Sequence, residues 1–244
     1  MVVLRIDYAQ IVISMNERIW FLKNCDLLRR MSSDRLDILE RHCQRRKFAA
    51  ASPIYLPSEN ADSIYLVGSG LVKICHLTTD GKISTLAYVK PGEVFGELAL
   101  FDTGERGEYV ESVEVSVLIR IPKQQMQELM NRDLDTALAV TKLVGLRRQR
   151  IERRLRTLLF TSNQHRLNHL LLDLAEQFGV AVDGGIRLGL KLSHQEIAHL
   201  IGTTRETVTI LIGKLKTDGL VSGQRQTVIL SDVSRLAESV GRRV

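Results

Sequence analysis

The chain holds only three cysteines in 244 residues, Cys25, Cys43 and Cys75. They are odd in number and widely spaced, so they suggest neither a disulfide framework nor a zinc quartet. A reducing cytoplasm is the expected setting. Aromatic residues make up 5% of the chain, which leaves Val, Leu and Ile to fill the cores. No long apolar run opens the sequence: MVVLRIDYAQIVISMNERIW is interrupted by Arg5, Asp7 and Gln10, and so carries neither a secretory h-region nor a membrane span. The GxxxxGK[ST], HExxH and GxSxG patterns are missing too, so an enzyme is not expected.

Positive charge is present but unevenly spread. The net charge is +6; residues 1–123 hold sixteen basic and sixteen acidic side chains, 124–160 eight against four, and 161–244 ten against eight. The excess therefore sits in the middle and C-terminal parts, a modest footprint for a polyanion.

The most informative stretch is LKLSHQEIAHLIGTTRETVTILIGKLKTDGLV, starting at Leu190. Ser193 can cap a helix, with Glu196 three residues on completing a capping box. Ile197, Ala198 and Ile201 share one face, and Gly202 can turn the chain out through positive φ. Thr203 with Glu206 repeats the cap spacing and starts a second helix that buries Val208, Leu211, Ile212 and Leu215. The opposite face offers Thr204, Arg205, Glu206, Thr209, Ile210 and Lys214, base-edge and phosphate-contacting groups suited to a major-groove helix. Ser193 and Thr203, at the two helix starts, join them as candidate DNA contacts. GLVSGQRQTVIL then alternates around Gly223 as a short hairpin, read as a wing.

In the N-terminal half, residues 17–47 read as helical, with Leu22, Leu27, Leu28, Leu36 and Leu39 as apolar positions. From Phe48 the period becomes two. Alternating runs at 54–56, 63–67, 71–77, 83–89 and 113–121, joined by glycine turns, predict an antiparallel barrel or roll. Asp80-Gly81 marks its clearest hairpin. Within it PGEVFGELALF, followed by Arg106, sets a glycine before a helical turn, with a carboxylate and an arginine able to meet a ligand. From 123 to 160 only Gly145 interrupts helix formers, which predicts one long helix. Ala137, Val144, Ile151 and Leu158 recur every seven residues, accompanied by Val140 and continued by Arg147 and Arg154, as a parallel dimer seam.

In this order, YLVGSGLVKI with PGEVFGELALF, the long helix and LSHQEIAHLIGTTRETV resemble the Crp/Fnr superfamily of bacterial transcription regulators over roughly residues 21–232. The resemblance implies an α+β fold: an N-terminal antiparallel β-roll (1–123) of jelly-roll type, like a cyclic-nucleotide-binding domain, a central dimerisation helix (124–160) and a C-terminal winged helix-turn-helix (161–244). It implies a homodimer that reads a palindromic operator on double-stranded DNA, with RNA polymerase as a further partner and no membrane. Arg205 and Glu206 match the family's base-contacting pair, for guanine and cytosine respectively. Ile210 stands where well-known members place a second base-reading arginine, so the preference at that base pair is expected to differ.

The resemblance also implies an effector site at Phe95, Gly96, Glu97, Leu98, Arg106, Arg147, Ile151 and Glu152. Glu97 and Arg106 match the pair that takes the ribose hydroxyl and cyclic phosphate of cAMP, but Gly107 replaces the usual serine, and Ile151 and Glu152 replace adenine-recognising hydroxyls. Arg147 and Glu152, with Arg106, match instead the residues holding 2-oxoglutarate in the nitrogen-control branch, where paired arginine forks suit a dicarboxylate. Cyclic nucleotide, small anionic metabolite and an effector-independent regulator all stay open, as does a regulatory nucleotide-binding subunit of an enzyme. Cys25 and Cys43 alone cannot hold an iron–sulfur cluster. Cys75-His76 reads as a core cysteine beside a surface histidine, and His165 and His169 as helix-surface residues.

Overall fold

A computed structural model describes residues 22–23, 25, 27–28, 31–77, 83–101, 104–224 and 226–242. The expectations for residues 1–20 and for the Asp80-Gly81 turn lie outside them. The chain forms two compact units, Met1–Arg148 and Gln149–Val244.

The first unit's strands are β1 (Gln44–Phe48), β2 (Pro53–Tyr55), β3 (Ser63–Ser69), β4 (Val72–Leu77), β5 (Ile83–Val89), β6 (Val94–Phe95), β7 (Tyr109–Ser112) and β8 (Ser116–Pro122). They pair antiparallel into two four-stranded sheets, ordered β1-β8-β3-β6 and β2-β7-β4-β5. This is the roll expected from the alternating runs. Two apolar layers hold it. Tyr55, Tyr65, Val67, Val72, Val89, Phe95, Val110 and Leu118 form one cluster. The alternate residues of β3 and β8, Ile64, Leu66, Ile119 and Ile121, pack with Leu36, Leu39, Met126 and Val140 from helices, as the two-residue period of a strand requires.

Three expectations need correction here. Helix α1 covers Ser33–His42, and residues 44–47, read as helical, belong to strand β1. That strand pairs with β8, and its run of exposed polar side chains, Gln44 to Lys47, hid the alternation; such charge protects a sheet edge from further pairing. The predicted helix over 123–160 is two helices, α2 (Lys123–Arg132) and α3 (Leu134–Phe160). Asp133 separates them in extended backbone and accepts from Thr136 N at 3.1 Å and from its hydroxyl, so it caps the second helix. Finally, Val140 is fully buried in the first unit's core and is no part of an open seam. The exposed positions of α3 instead include Leu134, Leu138, Thr141, Gly145, Arg148, Leu155 and Leu159.

In the second unit, α4 (Asn163–Phe178) is capped by Ser162, which accepts from His165 N. Strands β9 (Gly179–Val182), β10 (Gly185–Leu188), β11 (Val221–Ser222) and β12 (Ile229–Leu230) form one sheet in the order β11-β12-β10-β9. The wing hairpin is thus present as β11 and β12. Its partner hairpin was missed in the sequence, although Asp183-Gly184-Gly185 between alternating residues signals a turn. Helices α5 (His194–Ile201), α6 (Arg205–Thr217) and α7 (Val233–Glu238) complete the unit. Leu167, Leu171, Ile197, Ala198, Ile201, Val208, Ile212, Leu215, Leu230 and Leu236 are buried in it. No helix among the described residues is long and apolar enough to cross a membrane.

Candidate nucleic-acid interface and effector pocket

Helix α5 begins as the sequence predicts. The Ser193 hydroxyl accepts from Glu196 N at 3.2 Å, and Glu196 accepts in turn from Ser193 N at 2.8 Å, a complete capping box. Ser193 is therefore occupied in holding the helix start. Gly202 ends the helix at φ 64°, ψ 47°, where its missing Cβ also avoids Leu158 Cδ2, which would lie 3.3 Å from it. Two arginines cover the last carbonyls: Arg154 donates to Leu200 O at 2.7 Å and Arg166 to Ile201 O at 3.4 Å. Cations suit that end of a helix.

The second cap falls one residue later than predicted. Thr204, not Thr203, is the N-cap of α6 and accepts from Thr207 N at 3.2 Å. Thr203 is half-buried and donates its backbone N–H to Ala198 O at 3.0 Å. The shift leaves Glu206 outside any capping box. Arg205, Glu206, Thr209, Ile210 and Lys214 are all exposed, while Val208, Ile212 and Leu215 are buried and Leu211, expected with them, is half-buried; the polar and apolar faces separate. Lys216 donates to Gly223 O at 2.8 Å and ties the end of α6 to the wing turn.

Sequence reading missed one participant on this face. Nδ1 of His194 lies 2.8 Å from Thr209 Oγ1, and that hydroxyl donates to Arg205 O at 2.9 Å. A pair fifteen residues apart on two helices leaves no local spacing signal.

The roll carries the other candidate residues. Gly96 follows β6 at φ 73°, and a Cβ there would lie 2.8 Å from Arg106 Nη1, so only glycine lets the arginine pass. Arg106 is 6% exposed. Its guanidinium donates to Ser63 O and, at 3.3 Å, to Gly96 O, and lies 4.3 Å from the Tyr55 ring centre, a cation–π contact. Its Nε has no hydrogen-bond partner. Tyr55 donates to Glu108 at 2.8 Å; burial first, then Glu108, pushes its phenol well above the usual range. Phe95 is fully buried and stacks on Tyr65 with ring centres 5.3 Å apart, so it serves the core.

Glu97 opens a 3₁₀ turn, Glu97–Phe101, and is also 6% exposed. Arg147 on α3 donates to its carboxylate and to Val94 O. The structure thus brings Phe95, Gly96, Glu97, Arg106 and Arg147 together, but pairs Glu97 with Arg147 and buries Arg106 against backbone carbonyls. A cavity of about 420 Å³ opens at Arg106, walled also by Arg46, Tyr55, Asp62 and Arg120. Neither Glu97 nor Arg147 lines it. Leu98 is exposed, and Ile151 and Glu152 are exposed positions of the second unit. Cys75 is buried beside an exposed His76, and no cluster of metal-binding side chains occurs among the described residues.

Residues 45–133 match the cyclic nucleotide-binding domain family, and residues 165–239 the Crp-like helix-turn-helix domain. The global nitrogen regulator of Synechocystis sp. is 31% identical over 194 residues, 78% of this chain and 86% of that protein. The chain belongs to the Crp/Fnr superfamily of transcription regulators. A CRP-like cAMP-activated global transcriptional regulator of Mycobacterium tuberculosis is 28% identical over 82% of this chain and 89% of that one. Among solved structures, the c-di-GMP responsive global regulator CLP of Xanthomonas campestris superposes with a TM-score of 0.71 at 26% identity, covering 82% of this chain and all of that one. The family models and relatives thus agree with the roll and the helix-turn-helix read from the sequence.

Proposed function

We propose that this member is a homodimeric regulator that reads a palindromic operator on duplex DNA with α6 of each copy, under control of a small anionic effector. The observation that carries the reading is the helix-turn-helix itself. Capping box, left-handed Gly202 and the two arginines on the carbonyl end of α5 fix the angle at which α6 offers exposed Arg205 and Glu206. Arg205 can donate both guanidinium nitrogens to guanine O6 and N7, and Glu206 can accept from cytosine N4.

The exposed stripe on α3 supports the dimer. Leu134, Leu138, Thr141, Gly145, Arg148, Glu152, Leu155 and Leu159 follow spacings of four and three, the seam of a two-stranded coiled coil. A second copy is the occupant whose matching stripe repeats this pattern. RNA polymerase is the further partner such a regulator requires, and operator position decides between activation and repression.

Arg147 supports the effector. A dicarboxylate or phosphate competing with Glu97 for this guanidinium has to break the existing pair, so binding is coupled to the placement of α3. A second reading, an effector-independent regulator, is favoured by the same pair, because Glu97 and Arg147 already satisfy one another.

Binding-site selection with the full chain, followed by gel-shift titration in rising salt and sizing of the complex, tests the first reading. Enrichment of an inverted repeat bound by two copies, with affinity falling steeply with salt, is expected; binding without sequence preference sinks it. Calorimetric titration with cAMP, cyclic di-GMP and 2-oxoglutarate separates the two effector readings.

A further inference from the structure

The recognition helix carries two kinds of side chain in successive turns. Arg205 and Glu206 come first, and one turn later come Thr209 and Ile210. Ile210 is 71% exposed, a large aliphatic group open to solvent on the polar face.

Thr209 is polar by composition, but its hydroxyl is engaged within the protein. A hydroxyl has one proton, and here it goes to Arg205 O at 2.9 Å. The contact with His194 Nδ1 at 2.8 Å must then run the other way, with Nδ1–H donating to Thr209 Oγ1. That places a proton on Nδ1. A neutral ring agrees with its surroundings, since burial first, then Lys216 and Arg205, hold its pKa below the ordinary value. With its proton committed, Thr209 has no donor for a base edge. What it can add to a groove is its γ-methyl.

We infer that Thr209 and Ile210 together form an apolar reader of the thymine 5-methyl group, and that His194 is the positioning residue that keeps Thr209 turned for this task. The inference rests on the DNA-reading role proposed above and assigns its ligand chemistry at the second turn of α6. In the major groove the thymine methyl is the one apolar group that the four bases present, and aliphatic side chains recognise it by contact. The polar pair reads a G·C pair and the apolar pair reads A·T pairs beside it. Burying one methyl stabilises by about 0.8 kcal/mol, which is about fourfold in affinity.

The test replaces each thymine of a selected operator by deoxyuridine, which removes the methyl and leaves the Watson–Crick edge unchanged. At one or two positions per half-site, binding by the full chain is expected to weaken about fourfold. Ile210→Ala should lower that thymine-to-uracil ratio toward one. His194→Ala should lower it too, and Thr209→Val in the His194→Ala background should restore it, because valine presents a methyl without needing a hydrogen-bond partner. A helix that had merely lost stability would not recover thymine preference in this way. Selected operators whose thymines all tolerate uracil overturn the inference while leaving the DNA-reading role standing. Failure of the folded protein to enrich any duplex overturns that role, and the inference with it.

Discussion

Arg147 on the long helix donates to the buried carboxylate of Glu97, the first residue after the glycine of the roll. Glu97 is 6% exposed, so removing its partner strands a charge in a poorly solvated place. Arg147→Gln is expected to destabilise the protein by about 1–3 kcal/mol, read as a lower urea midpoint. In Glu97→Gln the arginine keeps Val94 O and some solvent, so the loss should be smaller. The double variant should lose less than the sum of the two, with a coupling of at least about 0.5 kcal/mol. Additive losses would show that the contact contributes nothing of its own.

Gly202 is the hinge of the helix-turn-helix. Alanine there must adopt φ 64°, with its Cβ 3.3 Å from Leu158 Cδ2. The left-handed conformation alone costs about 1–2 kcal/mol. Gly202→Ala should lower the thermal midpoint and weaken operator binding together, whereas Gly213→Ala, at an exposed helical site open to a Cβ, should raise stability by about 0.5–1 kcal/mol. A melting curve that ranks the two variants the other way would remove the hinge argument.

How much could be read in advance follows from how local each signal was. The capping box at Ser193, the turn at Gly202 and the apolar face of α6 are short-range patterns, and all three appear where the spacing puts them. The alternating strands of the roll were legible for the same reason. Strand β1 was not, because an edge strand made of Gln44, Arg45, Arg46 and Lys47 shows no period. The seam on α3 misled in another way. Heptad spacing identified a seam of Ala137, Val144, Ile151 and Leu158 with Val140, Arg147 and Arg154 beside it, but periodicity does not say which of these positions a helix turns inward. In the fold Val140 enters the core, Arg147 meets Glu97, and Arg154 meets Leu200 O. The candidate effector residues came from the family resemblance; the pairing of Glu97 with Arg147 depends on a contact fifty residues apart.

Arg154 invites its own variant. Its guanidinium donates to Leu200 O at 2.7 Å, and burial holds its pKa below the usual arginine value. Arg154→Met keeps the aliphatic stem and removes the donor from the end of α5. A loss of about 1–3 kcal/mol is expected from the unmet carbonyl, with weaker operator binding because the carbonyl end of α5 loosens. Unchanged stability would mean that water replaces the arginine at no cost.

His169 sets a pH dependence. Burial first, then Arg242, lowers its pKa below 6.5, against an opposing pull from Asp173. Above pH 6.5 both folded and unfolded chains carry it neutral, and its contribution to stability is fully present. As pH falls below 6.5 the unfolded chain takes up the proton first, so stability declines through the folded value. The urea midpoint should therefore drop between pH 7.5 and 5.5, and His169→Asn should flatten that drop. An equal drop in the variant would assign it to other groups.

Lys214 is exposed on the same helix as Arg205, at least one turn beyond the residues proposed to read bases. As a flexible point charge it suits a phosphate better than a base edge. Lys214→Ala should therefore weaken binding to operator and to unrelated duplex by similar factors, and lower the slope of log K against log salt by about 1. Arg205→Ala should behave differently, costing about 1–3 kcal/mol on the operator and relaxing discrimination at one base pair. Gel-shift titrations of both variants across a salt series make the comparison, and loss of sequence discrimination in Lys214→Ala would move that lysine from the backbone to the bases.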